Sequence, residues 1–174
     1  MKIFLIGFMG SGKSYWGRQL SEKLMLPFFD LDKQVESNEG KSINQIFEEK
    51  GEENFRLLEK DALHMITESH ESFIIATGGG TPCYFNNIDY MNNTGITVWI
   101  NTPVEILFER LLKEKSNRPL IKELNDDQLK GFILKKYADR KIYYEQSRIT
   151  IEEENKTLEK IVEKLFQSLQ SEHS

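Results

Sequence analysis

The sequence is poor in cysteine, because Cys83 is the single one among 174 residues. One cysteine cannot close an internal disulfide, so the composition is compatible with a reducing compartment. A chain of this length buries roughly 70% of the surface that it exposes when unfolded, so its core needs neither a disulfide nor a structural metal. We expect one cytoplasmic domain that spans residues 1–174.

Long hydrophobic runs and an excess of positive charge are also missing. No apolar run approaches the roughly 20 residues that a membrane helix needs. Lys2 and the apolar residues 3–9 resemble the start of a secretory signal, but no A-x-A-like cleavage site follows, and Lys13 comes soon after. The formal net charge of −5 argues against general binding to nucleic acids or anionic membranes. An anionic ligand must therefore meet cations that are placed locally.

A glycine-rich segment at 7–14, G-F-M-G-S-G-K-S, fits the phosphate-loop pattern G-x-x-x-x-G-K-[ST] at every fixed position. Gly10 and Gly12 permit a turn tight enough for backbone N–H groups to point at phosphate oxygens. Lys13 would supply positive charge to the β- and γ-phosphates, and the Ser14 hydroxyl would ligate Mg²⁺. The N-terminus of the following helix adds its own positive dipole end. The segment therefore predicts a nucleotide-phosphate site.

Alternating strand and helix patterns surround this loop. Apolar runs predict strands, and residues at helical spacing predict the helices between them. The strands are expected at 2–6, 26–32, 73–76, 96–100 and 149–151, and the helices at 15–24, 42–50, 52–66, 102–115, 126–144 and 158–169. Ser42 begins its helix with a capping box, Gly51 ends that helix, and Thr102 is the expected N-cap before Pro103. This order predicts an α/β layer sandwich with a mainly parallel sheet.

Two carboxylates, Asp30 and Asp32, end the expected second strand. On a strand, this i, i+2 spacing aims both side chains at one face. Ligands of parallel α/β sheets gather at the carboxyl ends of strands, so the pair suits a metal helper or a base. A second interpretation makes Asp32 the N-cap of a helix that begins at Lys33. These residues by themselves leave both interpretations open.

Isolated arginines and a glycine run each allow two interpretations. Arg56 has Glu59 three residues later on a helix, which is either a surface ion pair worth a few tenths of a kcal/mol or a ligand-binding cation. The run 78–80 follows a buried strand and is either a wall of a substrate site or a hinge. Arg118 lies in a polar segment beside a proline and is either a lid cation or a solvated loop residue. The acidic run at 152–154 is expected to be a solvated turn.

Taken together, these segments resemble the signature of the shikimate kinase family in its usual order, over nearly the whole chain. The matching segments are the phosphate loop, Asp30-Leu31-Asp32, residues 51–59, Thr77-Gly78-Gly79-Gly80, Asn117-Arg118-Pro119-Leu120, and Arg140 with Tyr143 and Tyr144 behind it. Each short motif is weak by itself, but five in order behind a phosphate loop are hard to assemble by chance.

The resemblance implies a P-loop NTPase fold of the nucleoside-monophosphate-kinase type, a three-layer sandwich around a five-stranded parallel sheet in the order 2-3-1-4-5. It implies a shikimate-binding helical insert at about 31–60 and a lid at about 114–125. The implied reaction is Mg-ATP-dependent transfer of the γ-phosphoryl group to the 3-hydroxyl of shikimate, toward chorismate and the aromatic amino acids. The implied protein is a monomer; that it binds no nucleic acid and no membrane is expected from its charge and its lack of long apolar runs.

The resemblance also implies site residues. The catalytic set is Lys13, Asp32 and Arg118. The ATP-binding set is Gly10, Ser11, Gly12, Lys13, Ser14, Tyr15 and Arg118. The shikimate-binding set is Asp32, Arg56, Gly79 and Arg140, in which the two arginines clamp the carboxylate. The metal set is Ser14 with Asp30, the latter through water.

Departures from the family pattern and rival functions complete the expectations. Tyr15 replaces a common threonine or serine, and Ile142 stands where proline is common. His64, His70 and His173 are expected at the surface. One rival function is another small-molecule kinase of the same fold, such as a gluconate kinase, and a second is a noncatalytic P-loop nucleotide-binding protein. The N-K-x-D guanine-reading motif is absent from the sequence, and gluconate or a nucleotide would not call for the particular carboxylate clamp that Arg56 and Arg140 are expected to form.

Overall fold

A computed structural model of the chain describes residues 1–118 and 120–172. Pro119 of the lid motif and His173 lie outside the described residues. Within the described ranges, one sheet of five parallel strands has the order β2-β3-β1-β4-β5, which confirms the expected topology. The strands are β1 Lys2–Ile6, β2 Phe28–Asp30, β3 Phe73–Ala76, β4 Ile96–Ile100 and β5 Ile149–Ile151.

Helices cover both faces of the sheet. They are α1 Lys13–Leu24, α2 Leu31–Glu39, α3 Ile43–Ser69, α4 Asn87–Thr94, α5 Val104–Glu114, α6 Asp126–Tyr144 and α7 Leu158–Ser171. Short 3₁₀ turns lie at Thr81–Cys83, Lys115–Asn117 and Glu153–Asn155. No helix in the described ranges is both long and apolar enough to cross a membrane.

The central strand shows why the sheet has two apolar faces. Ile3 and Leu5 pack into one hydrophobic cluster, and Phe4 and Ile6 pack into the other, because successive side chains of a strand point to opposite faces. All four side chains are fully buried. Strands of a parallel sheet that is covered on both faces are therefore continuous apolar runs, as in this sequence.

The parallel arrangement brings the loops after the strands to one edge of the sheet. The phosphate loop follows β1, α2 follows β2, and the glycine run follows β3. Ligand sites of open α/β sheets form at this carboxyl edge. The fold therefore places motifs that are far apart in the sequence around one cleft.

Two boundary expectations were wrong. The second strand ends at Asp30, whose carboxylate caps α2, so Asp32 lies in the first turn of α2 and not on a strand. A strand ending at Asp32, and an N-cap at Asp32, are both excluded. The N-cap position of α5 is Pro103 without a side-chain cap, because the Thr102 hydroxyl instead contacts the phosphate loop and Lys156.

Other local expectations were confirmed. Ser42 and Gln45 form the capping box at the start of α3. Gly51 interrupts that helix with φ 79° and ψ 170°, a conformation that favours glycine.

Helix α4 was not expected, because its short, asparagine-rich stretch has low intrinsic helix propensity.

A pair of glycine substitutions tests the packing between α1 and the sheet. A Cβ on Gly17 would lie 2.3 Å from the Phe28 ring, whereas nothing lies within 4 Å of a Cβ on Gly131 in α6. We expect Gly17→Ala to lower the free energy of unfolding by about 1–3 kcal/mol through overpacking. Gly131→Ala should raise it by up to about 1 kcal/mol through helix propensity.

Urea unfolding of the wild type and both variants measures the two changes. Equal effects of the two substitutions would contradict the close approach of α1 to β2.

Candidate active site

The phosphate loop is held in a conformation that its glycines permit. Gly7, Gly10 and Gly12 have φ angles of 146°, 79° and 99°. A Cβ on Gly7 would lie 2.8 Å from the Ile100 carbonyl oxygen, so this position has no room for a side chain. Gly12 is the N-cap of α1, which places the helix N-terminus at the loop. The loop therefore has the form that an anion-binding turn requires.

Lys13 is buried at the base of this loop, 8% exposed. Its Nζ donates to the carbonyl oxygens of Gly7 at 2.6 Å and Phe8 at 3.0 Å. Burial lowers the pKa of Lys13 from 10.5 to about 7; Asp32 opposes this shift and Arg140 adds to it. An arriving phosphate would supply the negative charge that favours the protonated ammonium.

Ser14 and Asp30 lie together at the opening of the loop. The Ser14 hydroxyl donates to Asp30 Oδ2 at 3.1 Å, and Asp30 Oδ1 accepts from the Lys33 backbone N–H at 3.3 Å. Among residues 1–118 and 120–172, no group of three or more His, Cys, Asp or Glu side chains is arranged to hold a metal. A hydroxyl and a carboxylate fit Mg²⁺, which is usually bound by one or two protein oxygens plus substrate phosphates and waters.

Asp32 lies close to other carboxylates. Burial, followed by the negative charges of Glu59 and Asp30, raises the pKa of Asp32 from 3.8 to about 6. The charges of Lys13 and Arg56 act in the opposite direction. A carboxylate with this pKa is ionised at neutral pH and accepts a proton more readily than a solvated aspartate.

Arg56 is not part of a surface ion pair, so that interpretation was wrong. Arg56 is 7% exposed and Glu59 is fully buried, and Arg56 Nη1 donates to Glu59 Oε1 at 3.0 Å. The guanidinium also lies 4.3 Å from the centre of the Tyr84 ring. The other oxygen of Glu59 accepts from Thr81 Oγ1 at 2.8 Å. Buried charges need such fixed partners, so the orientation of Arg56 is set by its surroundings.

Arg140 reaches the glycine run from α6. A Cβ on Gly79 would lie 3.0 Å from Arg140 Nη1, and a Cβ on Gly80 would lie 2.5 Å from Arg56 Nη2. Both guanidiniums therefore contact the loop where it lacks side chains. Arg140 Nη1 is buried without a hydrogen-bond partner in the described part of the chain. A buried donor of this kind is suited to an anionic ligand.

Arg118 lies at the entrance, close to α5. Its Nε and Nη2 donate to Glu114 Oε2 at 3.0 and 2.7 Å, and its side chain is 37% exposed. The lid segment thus presents the expected cation, held by a carboxylate one helical turn earlier. Arg118 is close enough to lower the pKa of Lys13, after the larger effects of burial and Arg140.

A cleft of about 560 Å³ joins these groups. The expected site residues that line it are Gly10, Ser11, Gly12, Lys13, Ser14, Tyr15, Asp30, Asp32, Gly79 and Arg118. Arg56 and Arg140 are not among the described residues of its lining; Arg140 lies against the lining residue Gly79, and Arg56 lies against the neighbouring Gly80. The structure therefore joins the phosphate loop and both aspartates in one space, with two arginines directly adjacent.

Besides Glu114, which pairs with Arg118, three charged residues of the cleft had no expected role. Arg110 donates to the Gly10 carbonyl oxygen at 3.0 Å, and Lys156 Nζ donates to Thr102 Oγ1 at 2.7 Å and to Glu153 Oε2 at 2.5 Å. Glu153 belongs to the acidic run that was expected to be a solvated turn. Its Oε1 lies 3.6 Å from Arg110 Nη2. The available signal was position, because this segment follows β5 at the carboxyl edge of the sheet.

Comparison with known proteins adds independent findings. Residues 9–170 match the family model described as shikimate kinase. The shikimate kinase of Azobacteroides pseudotrichonymphae is 41% identical over 165 residues, which cover 95% of this chain and 97% of that protein.

Solved structures agree with the sequence matches. A crystal structure of shikimate kinase from Bacteroides thetaiotaomicron has a TM-score of 0.89 and 37% identity, covering 98% of each chain. A shikimate kinase from Acinetobacter baumannii in complex with shikimate has a TM-score of 0.81 and 35% identity, covering 98% of this chain and 93% of that chain.

The raised pKa of Asp32 predicts that ionisation of this carboxylate lowers the stability of the fold. Its pKa in the fold lies above the unfolded value, so the ionised carboxylate destabilises the fold. This cost is absent below about pH 4, develops as the pH rises toward the folded pKa of about 6, and is constant above it. We expect Asp32→Asn to become more stable than the wild type by on the order of 3 kcal/mol across this window.

Chemical denaturation at several pH values, with the two proteins compared at each, measures this difference. A difference that stays flat between pH 4 and pH 7 would show that the fold does not raise the pKa of Asp32.

Proposed function

The chain belongs to the shikimate kinase family, and from that premise we propose which of its residues bind and phosphorylate the acceptor. It is an ATP-dependent kinase that phosphorylates shikimate. The observation that carries the residue assignments is the convergence of Lys13, Arg56 and Arg140 on the space between the phosphate loop and the glycine run. Three cations with few free counter-charges suit a pair of anionic substrates in an otherwise acidic protein.

Arg56 and Arg140 bind the carboxylate of shikimate in this proposal. The planar guanidinium forms paired hydrogen bonds to a carboxylate, and Arg140 Nη1 is a buried donor with no partner in the described ranges. The Glu59 carboxylate fixes Arg56. Gly79 lets the acceptor approach the backbone, because a side chain there would meet Arg140. The helical segment at 31–60 forms the outer part of this acceptor site.

Asp32 binds the reacting 3-hydroxyl and accepts its proton. Its elevated pKa, about 6, keeps it ionised at neutral pH while bringing it closer to the pKa range of effective general bases. The carboxylate lies close to Lys13, since each residue shifts the pKa of the other. The acceptor oxygen is therefore held next to the cation that meets the transferring phosphoryl group.

The phosphate loop and the lid bind ATP. Phosphoryl transfer depends mainly on alignment and on neutralising the charge of the phosphoryl oxygens. Lys13 exchanges the carbonyl oxygens of Gly7 and Phe8 for phosphate oxygens. Arg118, within the lid at 114–125, leaves Glu114 to contact the phosphates. Both residues then stabilise the negative charge of the transition state.

Mg²⁺ is proposed as the accompanying ion, with Ser14 as a ligand and Asp30 as a partner through water. Their oxygens lie 3.1 Å apart at the opening of the loop. Such an ion would neutralise phosphate charge. We further propose that the enzyme is a cytoplasmic monomer that requires neither nucleic acid nor a membrane, in accord with its net charge of −5.

Acceptor specificity tests the function. We expect magnesium- and ATP-dependent ADP release with shikimate. We expect little release with gluconate, whose carboxylate lies on an open chain and not on a ring, or with nucleoside monophosphates, which have no carboxylate. A coupled ADP-release assay with this panel of acceptors makes the measurement. A preference for gluconate would support the rival kinase, and no release with any acceptor would support a noncatalytic nucleotide-binding protein.

The carboxylate clamp is tested by Arg140→Ala. Loss of charge-assisted hydrogen bonds worth about 1.5–3 kcal/mol should lower kcat/KM for shikimate roughly 10- to 100-fold or more. Arg18→Ala is the matched control, since Arg18 is exposed on α1 and does not line the cleft. Steady-state kinetics and thermal unfolding of both variants separate binding from folding. An unchanged KM for shikimate in a folded Arg140→Ala enzyme would remove this assignment.

A further inference from the structure

Tyr144 is a buried phenol whose hydroxyl contacts the glycine run. The residue is fully buried at the end of α6, and its hydroxyl donates to the Gly79 carbonyl oxygen at 2.5 Å. Its ring packs 5.7 Å from the Trp99 ring. A buried phenol usually finds a hydrogen-bond partner, but here the partner is backbone of the proposed acceptor site. The contact joins residues 65 positions apart in the sequence.

The three glycine carbonyls of this loop are held in two different ways. The Gly78 carbonyl accepts from the Thr81 N–H at 3.2 Å, and the Gly80 carbonyl accepts from the Cys83 N–H at 3.0 Å. These are local bonds of the following 3₁₀ turn. The Gly79 carbonyl is instead held by a side chain from α6. Because glycine has wide backbone freedom, the central peptide depends on this distant donor for its orientation.

One rigid peptide unit links this bond to the site. The carbonyl of Gly79 and the N–H of Gly80 belong to the same planar peptide and point in opposite directions. Holding the carbonyl toward Tyr144 therefore aims the Gly80 N–H away from α6. Arg140 lies one helical turn before Tyr144, on the same face of α6, and its Nη1 would lie 3.0 Å from a Cβ on Gly79. Helix α6 thus fixes the loop and supplies a cation beside it.

We propose that Tyr144 is a positioning residue for the acceptor site, which acts by fixing the Gly79–Gly80 peptide next to Arg140. This inference rests on the proposed function of the glycine run and Arg140. Tyr144 is not a catalytic residue, because its hydroxyl donates to the Gly79 carbonyl oxygen and otherwise faces the Arg140 side chain. Burial raises the pKa of Tyr144 far above the ordinary value for tyrosine, so the phenol remains a hydrogen-bond donor at physiological pH.

The substitution Tyr144→Phe removes the hydroxyl and keeps the ring. We expect the KM for shikimate to rise about tenfold, as for the loss of one hydrogen bond of about 1–1.5 kcal/mol. The KM for ATP should stay within about twofold, because the phosphate loop does not contact the phenol hydroxyl. Steady-state kinetics with each substrate varied in turn measure this split, which a general loss of stability would not produce.

Tyr137→Phe is the matched control. Tyr137 lies on the same helix, and its hydroxyl donates to Asn101 Oδ1 at 3.0 Å instead of to the glycine run. Removal of the Tyr137 hydroxyl should leave the KM for shikimate unchanged. If Tyr144→Phe unfolds at the assay temperature, both phenylalanine variants are compared in a Gly131→Ala background, where the added Cβ has open space in α6.

The outcomes distinguish this inference from the function on which it rests. A wild type with no shikimate-dependent ADP release would overturn the function itself. An active wild type, together with a folded Tyr144→Phe whose KM for shikimate is unchanged or whose two KM values rise equally, would overturn the positioning role. Equal shikimate KM increases in Tyr144→Phe and Tyr137→Phe would also overturn it.

Discussion

The site depends on one constraint, which is that positively charged groups are buried against glycine residues. Lys13, Arg56 and Arg140 all lie against glycine-containing loops, where a Cβ would collide with a cation or with backbone. Such cations are costly to bury unless carbonyl oxygens, carboxylates or aromatic faces hold them. The protein supplies these partners to Lys13 and to most of the Arg56 guanidinium, and in the described residues it leaves Arg56 Nε and Arg140 Nη1 without a hydrogen-bond partner.

The carboxylates of the site have separate tasks. Glu59 is committed to Arg56 and Thr81, and Asp30 is committed to Ser14 and to the start of α2. For Asp32, burial is the main physical reason for the elevated pKa, followed by the negative charges of Glu59 and Asp30. Carboxylates with a perturbed pKa, whose ionisation lowers the stability of the fold, are common where a group must react.

The sequence predicted the architecture well because its signals were local. Buried parallel strands appear as apolar runs, and the phosphate loop and the Ser42 capping box have fixed spacing, so these elements follow directly from the residues. The end of β2 was misjudged because Asp30 is compatible both with a strand and with a helix cap. Helix α4 was missed because tertiary packing, through Ile88 and Met91, overrides its weak propensity.

The site residues could be predicted where a sequence motif is associated with a chemical role. The burial of Arg56 and Glu59 was not visible from an i, i+3 spacing, since the same spacing occurs on exposed helices. Arg110, Glu153 and Lys156 meet through the fold and have no shared sequence pattern. Their positions depend on where β5 ends relative to the phosphate loop, and the three-dimensional fold determines this.

In the proposed binding mode, Arg118 exchanges the carboxylate of Glu114 for a phosphate when nucleotide binds. Dissolved ions screen both the internal pair and the new contact, so the two losses partly cancel. The contribution of this arginine to nucleotide affinity should thus respond weakly to ionic strength. The ammonium of Lys13 instead leaves neutral carbonyl groups, while the negative charge of Asp32 stays beside it.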